Sequence, residues 1–212
     1  MRTDKRKVIC CDALVQLRRI EPVKAIITSL PDASEVKCHF PAYPQWFSGA
    51  VRNVFDSVTK DGVAIFYQGD RRYRGRLLSK ANLICNGAQS KGFHLLWHKI
   101  VLRNHPGKIN LYRPTYLHLM AFSPSLKAGR PTPDVIDHSK TIYQNGMGIN
   151  AAVFAIRFAA DATRTNVIYD PFCGRGTVLA VANALGLESV GFDISTEQCA
   201  LARKLRIQIP QN

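Results

Sequence analysis

Short apolar runs recur along this chain, separated by segments whose apolar positions repeat at three and four residues. Val8-Ile9-Cys10-Cys11-Asp12 reads as a short buried strand ending in a carboxylate, and Val23 to Ser29 as a second, stopped by Leu30-Pro31. Tyr43 to Lys60 carries Trp46, Phe47, Ala50, Val51, Val54, Phe55 and Val58 at helical spacing, and Asp61-Gly62 leads from it into a strand over Val63 to Tyr67. A helix is expected over Gly75 to Lys91. Phe93 to Leu102 and Tyr116 to Phe122 follow as β-rich segments joined through His105-Pro106-Gly107, an antiparallel hairpin at the sheet edge. Ser123 to Ser139, with Pro124, Gly129, Pro131 and Pro133, reads as an irregular crossing loop. Then Asn150 to Ala160, Thr177 to Leu185 and Ser195 to Leu205 read as helices, with strands at Asn166 to Tyr169 and Ser189 to Phe192 between them. This βα alternation argues for an α/β, doubly wound, mostly parallel sheet.

The 212 residues, 46% hydrophobic, suffice for one well-buried α/β domain and are too few for two full-sized ones. The expected division is a first half over 1–122, a crossing loop over 123–149 and a second half over 150–212. The 29 Lys+Arg against 15 Asp+Glu give a formal net charge of +14, which makes nucleic acid the first partner to consider; a basic surface that only aids solubility is the bland alternative. Cys10, Cys11, Cys38, Cys85, Cys173 and Cys199 form no C-x-x-C pair and no zinc-finger spacing, so no metal site is expected and reduced thiols point to an intracellular setting. No run of about 18 apolar residues is present to span a bilayer.

The candidate chemistry centres on Asp170-Pro171-Phe172-Cys173-Gly174-Arg175-Gly176-Thr177, set between a predicted strand and a predicted helix. A glycine-rich turn there lets backbone approach a ligand closely at a helix N-terminus. The next strand, Val190-Gly191-Phe192-Asp193, ends in a carboxylate, the usual place for an acid that accepts both hydroxyls of a ribose.

DPFCGRGTVLAVANALG followed by VGFDIS resembles the S-adenosylmethionine-binding motifs of the circularly permuted amino-methyltransferases that act on DNA and RNA. In that family the target-binding half comes first and the glycine loop last, the order seen here. The resemblance implies a Rossmann-like, circularly permuted methyltransferase fold in which the C-terminal helix would hand over to the strand at Val8 and seven strands would complete the sheet. It implies that Asp170 and Gly174 contact the amino-acid end of S-adenosyl-L-methionine, and that Phe172 and Thr177 in the same turn also bind the cofactor. It further implies that Gly176 allows close approach, Asp193 holds the ribose, and Asp12, with Ala13 nearby, accepts from the adenine amino group. A main-chain contact near Gly148 is one reading of Gly146 to Asn150; an ordinary loop and helix cap is the other.

The family's strand-end tetrapeptide, which grips the target amino group, corresponds to Ser29-Leu30-Pro31-Asp32. Ser29 Oγ and the Leu30 carbonyl could accept from the target NH₂ and turn its lone pair towards the methyl. The last position is normally an aromatic that stacks on an extruded base, and Asp32 cannot stack. Either Asp32 accepts a hydrogen bond or proton while Phe40, Tyr43 or Trp46 stacks instead, or the site is not catalytic, or Asp32 is only a turn residue. Arg71, Arg72, Arg74 and Arg76, with Tyr73 among them, pair phosphate-binding cations with an aromatic, or else form a solvated basic loop. Trp97 and His98 read as structural. The function expected is methylation of a nucleic-acid base, RNA favoured because no segment is large enough for a separate sequence-reading domain. The alternatives are DNA adenine or cytosine amino-methylation, a catalytically silent, cofactor-binding assembly factor on ribosomal RNA, and methylation of a protein or small molecule.

Overall fold

Stretches of strand buried on both faces must be apolar without interruption, and AII in the second strand and VAIF in the third meet that demand: Ala25, Ile26, Ile27, Val63, Ala64, Ile65 and Phe66 are fully buried. The computed structural model describes residues 5–137, 141–143 and 146–209. In chain order the elements are β1 (Arg6–Cys10), α1 (Ala13–Leu17), β2 (Val23–Thr28), α2 (Tyr43–Asp56), β3 (Val58–Gln68), β4 (Arg71–Tyr73), β5 (Arg76–Leu78), α3 (Lys80–Ser90), β6 (His94–Leu102), β7 (Tyr116–Ser123), β8 (Val135–Ile136), α4 (Ile149–Thr163), β9 (Val167–Asp170), α5 (Thr177–Ala184), β10 (Glu188–Asp193) and α6 (Thr196–Lys204).

The main sheet runs β1-β10-β9-β2-β3-β7-β6-β8. The five strands from β1 to β3 run parallel; β7 lies antiparallel between β3 and β6, and β8 runs parallel to β6. Alternate side chains of the central strands face opposite layers. Ala25, Ile27, Val63 and Ile65 pack on α4 and α5 through Ala151, Ala155, Ala159 and Val181. Ile26, Ala64 and Phe66 pack on α2 and α3 through Phe47, Val51, Phe55 and Ile84. The α/β, mostly parallel architecture expected from the sequence is present.

Four expectations change. Among the described residues the sheet has eight strands, because Val135 and Ile136, inside the expected crossing loop, pair in parallel with Ile100 and Val101 and cover the hairpin edge. Residues 138–140 and 144–145 of that loop lie outside the described residues. The helix expected from Gly75 starts at Lys80, because Arg74 and Gly75 both take positive φ (47° and 74°) and turn β4 back onto β5 as a tight hairpin. The helix expected to reach Lys60 ends at Asp56, with β3 already begun at Val58, which pairs with Val23. A short helix, α1, follows β1; Asp12 caps it, and five residues are too few to show a period.

β1 lies beside β10, and the two ends of the chain are bonded across it: Arg203 Nη2 donates to the Val8 carbonyl (2.9 Å) and Arg6 Nη1 to that of Leu205 (2.8 Å). Gly176 sits where α5 meets α6. Its φ is +82°, and a Cβ there would lie 2.9 Å from Ala202 Cβ and 3.0 Å from Ala202 Cα. Gly176→Ala is therefore expected to lower the unfolding free energy by at least about 1–2 kcal/mol, read from urea denaturation midpoints at unchanged slope.

Candidate active site

Strand order reverses between the parallel neighbours β9 and β2: β2 leads on to β3 on one side, and β9 to β10 on the other. A crevice outside the carboxyl ends of the strands is expected at such a switch point, and a cavity of about 1040 Å³ opens there. Asp12, Ser29, Leu30, Pro31, Asp32, Asp170, Phe172, Gly174, Thr177 and Asp193 all line it. A second cavity, about 920 Å³ between β6 and α4, holds none of the sequence-predicted site residues.

On one side the glycine turn wraps the end of β9. Gly174 takes φ +52° and its N–H donates to Asp193 Oδ2 (3.0 Å), while Ser195 N–H donates to Oδ1 (2.8 Å). Both Asp193 oxygens are thus fixed and keep further lone pairs towards the cavity. Asp170 is buried; its Oδ1 accepts from Thr28 Oγ1 (2.8 Å) and Phe172 N–H (3.3 Å). Burial pushes its carboxyl up to about 7 against the help of Thr28 and the Phe172 N–H. Thr177 Oγ1 is buried without a hydrogen-bond partner of ordinary geometry among the described residues, although the Tyr143 phenol lies near enough to interact with it. Tyr143 also packs against Gly146 and Gly174, with the Arg175 guanidinium over its ring at 5.3 Å. Asp12 spends Oδ1 on the α1 N–H groups of Leu14 and Val15 (2.8 and 3.2 Å).

On the other side Ser29 to Asp32 is clamped. Gln68 accepts from the Leu30 N–H (3.0 Å) and donates to the Leu30 carbonyl (3.1 Å); Tyr43 donates to the Pro31 carbonyl (2.7 Å). Ser29 lines the cavity between the strand end and that clamp. Asp32 is engaged by cations, Oδ1 by Lys80 and Oδ2 by Arg113 (3.3 Å). Burial works to raise its carboxyl, and Lys80, then Arg113, outweigh it and hold it below the usual carboxylate range. Of the two roles expected for Asp32, these ion pairs work against accepting a proton and leave its oxygens as hydrogen-bond acceptors.

Lys80 is itself fully buried, its ammonium over the rings of Tyr43 and Phe47 (5.3 and 5.7 Å). Asp70 anchors the start of α3, accepting from Lys80 N–H (2.8 Å) and Ala81 N–H (3.4 Å), and meets His118 Nε2 at 3.2 Å; His118 in turn meets His98 at 2.8 Å. Gln68, Asp70, Lys80, Arg103, Arg113 and Tyr143 line the cavity and were not picked out from the sequence. A carboxylate in the place of a stacking aromatic was the one available signal, since a half-buried Asp32 favours a cation beside it.

Three assignments shift. Gly176 faces α6, where a methyl would clash with Ala202, so the geometry gives it a part in helix packing. Gly148 is the N-cap of α4; its N–H meets the Tyr67 phenol, and the neighbouring Gly146 and Met147 line the cavity instead. Arg72, exposed, also fastens the neighbouring loop, its Nη1 donating to the carbonyls of Asn110 (2.6 Å) and Arg113 (3.3 Å). Arg74 and Arg76 stand exposed on the β4–β5 hairpin, with Arg71 half-buried near Asp32. Of the expected stackers, Phe40 lies on Tyr73 (centroids 4.0 Å apart) and Tyr43 is buried, leaving Trp46 in the cavity wall. Trp97 packs edge-on against Phe154 and Phe158.

Residues 155–204 match the model of a family described as DNA methylase. No curated protein matches the chain. Among solved structures, the chain is similar to a putative DNA modification methylase from Thermus thermophilus complexed with S-adenosyl-L-methionine: 19% identity, 94% of this chain and 92% of that one, TM-score 0.74. It is similar also to the PvuII cytosine-N4-specific DNA methyltransferase, with 16% identity, 98% and 90% coverage and TM-score 0.76. At these identities the likeness shows the fold. Among the described residues no helix is long and apolar enough to cross a membrane, and no group of His, Cys, Asp and Glu is placed to hold a metal ion.

The buried Asp170 makes a pH-dependent contribution to stability. An acid raised from about 4 in the unfolded chain to about 7 in the folded protein costs nothing when both states are protonated. It penalises folding progressively as pH rises from about 4 to about 7, and the penalty is complete above that. Asp170→Asn should match wild type near pH 4 and exceed it in unfolding free energy at pH 8, by a few kcal/mol at most. A pH-independent difference would show that the carboxyl is not held protonated.

Proposed function

We propose that this protein is an S-adenosyl-L-methionine-dependent methyltransferase acting on an exocyclic amino group of a base in DNA. The observation that carries the reading is the single cavity that joins the glycine turn and Asp193 on one wall to the clamped Ser29-Leu30 pair on the other. The family match and two structural neighbours, named above as DNA methylases, support it. The preference for RNA rested on the shortness of the chain. The PvuII enzyme is matched over 90% of its length, so a chain of this size accommodates DNA methylation and the argument lapses. The adjacency of β1 and α6 supports the circularly permuted reading.

The residues on the cofactor wall fit the ligand. Asp193 keeps lone pairs for two ribose hydroxyls, the Asp12 second oxygen and the Thr177 hydroxyl are available for polar contacts, Phe172 adds apolar surface, and Asp170 would hold a cationic amino group. S-adenosyl-L-methionine supplies a methyl on a sulfonium, an electrophile open to in-line attack by an amine. On the target wall Ser29 Oγ and the remaining lone pair of the Leu30 carbonyl accept from the amino group and turn its nitrogen lone pair outward. The Gln68 clamp fixes that carbonyl in advance, which removes reorganisation from the reaction step. Asp32 holds Lys80 and Arg113 in place, Pro31 fixes the turn, and Trp46 offers the stacking surface.

The deciding experiment is incubation with S-adenosyl-L-methionine carrying a labelled methyl and, separately, duplex DNA, single-stranded DNA and total RNA, with nucleoside analysis of each product. Label in N4-methylcytosine or N6-methyladenine of DNA is expected; label only in RNA nucleosides overturns the DNA assignment. If cofactor and nucleic acid both bind yet no substrate takes label, the silent assembly-factor reading replaces the enzyme. Asp193→Ala should weaken cofactor binding on the order of a hundredfold by calorimetry. Ser29→Ala should leave that affinity unchanged and slow single-turnover transfer by about tenfold or more.

A further inference from the structure

Ile109, Leu111 and Tyr112, in the connection between β6 and β7, are 88%, 77% and 70% exposed. Three apolar side chains within four residues are normally turned inward or spread apart. Here the backbone is fastened in a way that keeps them out. Arg72 Nη1 donates to the Asn110 carbonyl (2.6 Å) and to that of Arg113 (3.3 Å), and the Arg72 N–H donates to the Tyr112 carbonyl (3.2 Å). The Asn110 side chain accepts from the Tyr112 and Arg113 N–H groups (3.0 and 3.1 Å), and Arg103 N–H closes the base of the loop on the Thr115 carbonyl (2.8 Å). The loop is therefore a built projection, docked on the β4–β5 hairpin.

Its position gives it a purpose. Arg113, directly after the apolar tip, reaches into the cavity to Asp32, so the tip stands at the entrance on the target side. Lys108 in the loop, and Arg74 and Arg76 on the hairpin to which Arg72 ties it, are exposed. Apolar side chains flanked by cations suit a polyanion whose interior is a stack of apolar faces. Position 32, moreover, carries a carboxylate, so stacking on an extruded base falls to Trp46 in the cavity wall, and among the described residues nothing on that wall fills the gap the base leaves in the duplex.

We propose that the β6–β7 loop is a wedge that inserts Leu111 and Tyr112, backed by Ile109, between stacked bases of the DNA and holds the target nucleotide out at the cavity entrance. This rests on the proposed nucleic-acid substrate. It is tested with the whole protein by fluorescence anisotropy on two labelled duplexes, one intact and one carrying an abasic site, where unstacking has already been done. Wild type should bind the abasic duplex about tenfold more tightly. The triple variant Ile109→Ser, Leu111→Ser, Tyr112→Ser should bind the intact duplex within about threefold of wild type and lose the preference, while Tyr112→Phe keeps it. Unchanged thermal unfolding and cofactor calorimetry would show that the variant is folded.

A triple variant that retains the preference, or a wild type that binds duplex without one, overturns the wedge and leaves the substrate reading intact. A wild type that binds no duplex overturns the wedge, and one that binds neither duplex nor single-stranded DNA overturns both. Binding of wild type, but not of the triple variant, to phosphatidylserine vesicles, with no abasic preference in either, assigns the tip to a membrane surface and overturns the wedge.

Discussion

The middle of the sheet is a seam between strands from opposite ends of the sequence. β2 and β9 share register at one residue pair, Ile26 with Tyr169, and are then tied by the buried bond from Thr28 to Asp170. Beyond it the two chains leave in opposite directions, one into Ser29-Leu30-Pro31-Asp32 and the other into the glycine turn. A parallel sheet without the seam would have no switch point and no crevice at its carboxyl edge. Its cost is a carboxyl removed from water, offset in part by the Thr28 hydroxyl and the Phe172 N–H.

The two walls of the cavity differ in what holds them. The glycine-turn wall is a local construction: Asp170, Gly174 and Asp193 are brought together by adjacent strands and one turn, and main-chain N–H groups satisfy the carboxylates. The target wall is assembled from distant side chains. Gln68 reaches back to Leu30, Tyr43 to Pro31, and Lys80 and Arg113 converge on Asp32. An aromatic at position 32 would have needed none of these cations, and the carboxylate turns the same place into a charged node.

That difference explains what could be read in advance. The strands at Val8, Val23 and Val63, the long helix after the second of them and the glycine turn followed by Asp193 were legible because each depends on a short window of pattern or spacing. The Lys80 and Arg113 partners of Asp32 were not, since their meeting depends on where α3 and the β6–β7 loop come to rest. Arg72 has a role the run of arginines did not reveal for a related reason: only the fold shows that its Nη1 also holds the backbone carbonyls of Asn110 and Arg113. The β4–β5 hairpin was hidden by the helix beside it, although Arg74-Gly75 carried the turn signal. Val135 and Ile136 were hidden by surrounding prolines, and a two-residue strand has no periodicity to show.

The order of the strands also sets a timetable for folding during synthesis. β1 is made first and its neighbour β10 last of the strands, and β2 waits for β9 over nearly as long an interval. While the chain emerges, β2, β3, β7 and β6 can pair among themselves and gather α2 and α3 on one face, but the opposite face lacks α4 and α5, and one flank of β2 carries unpaired N–H and C=O groups. Such long-range pairings close late and leave apolar surface in water meanwhile. The molecule is thus obliged to release its whole C-terminal quarter before its central strands are covered, and a truncated chain ending before Val167 would present a half-built sheet with an open, sticky edge.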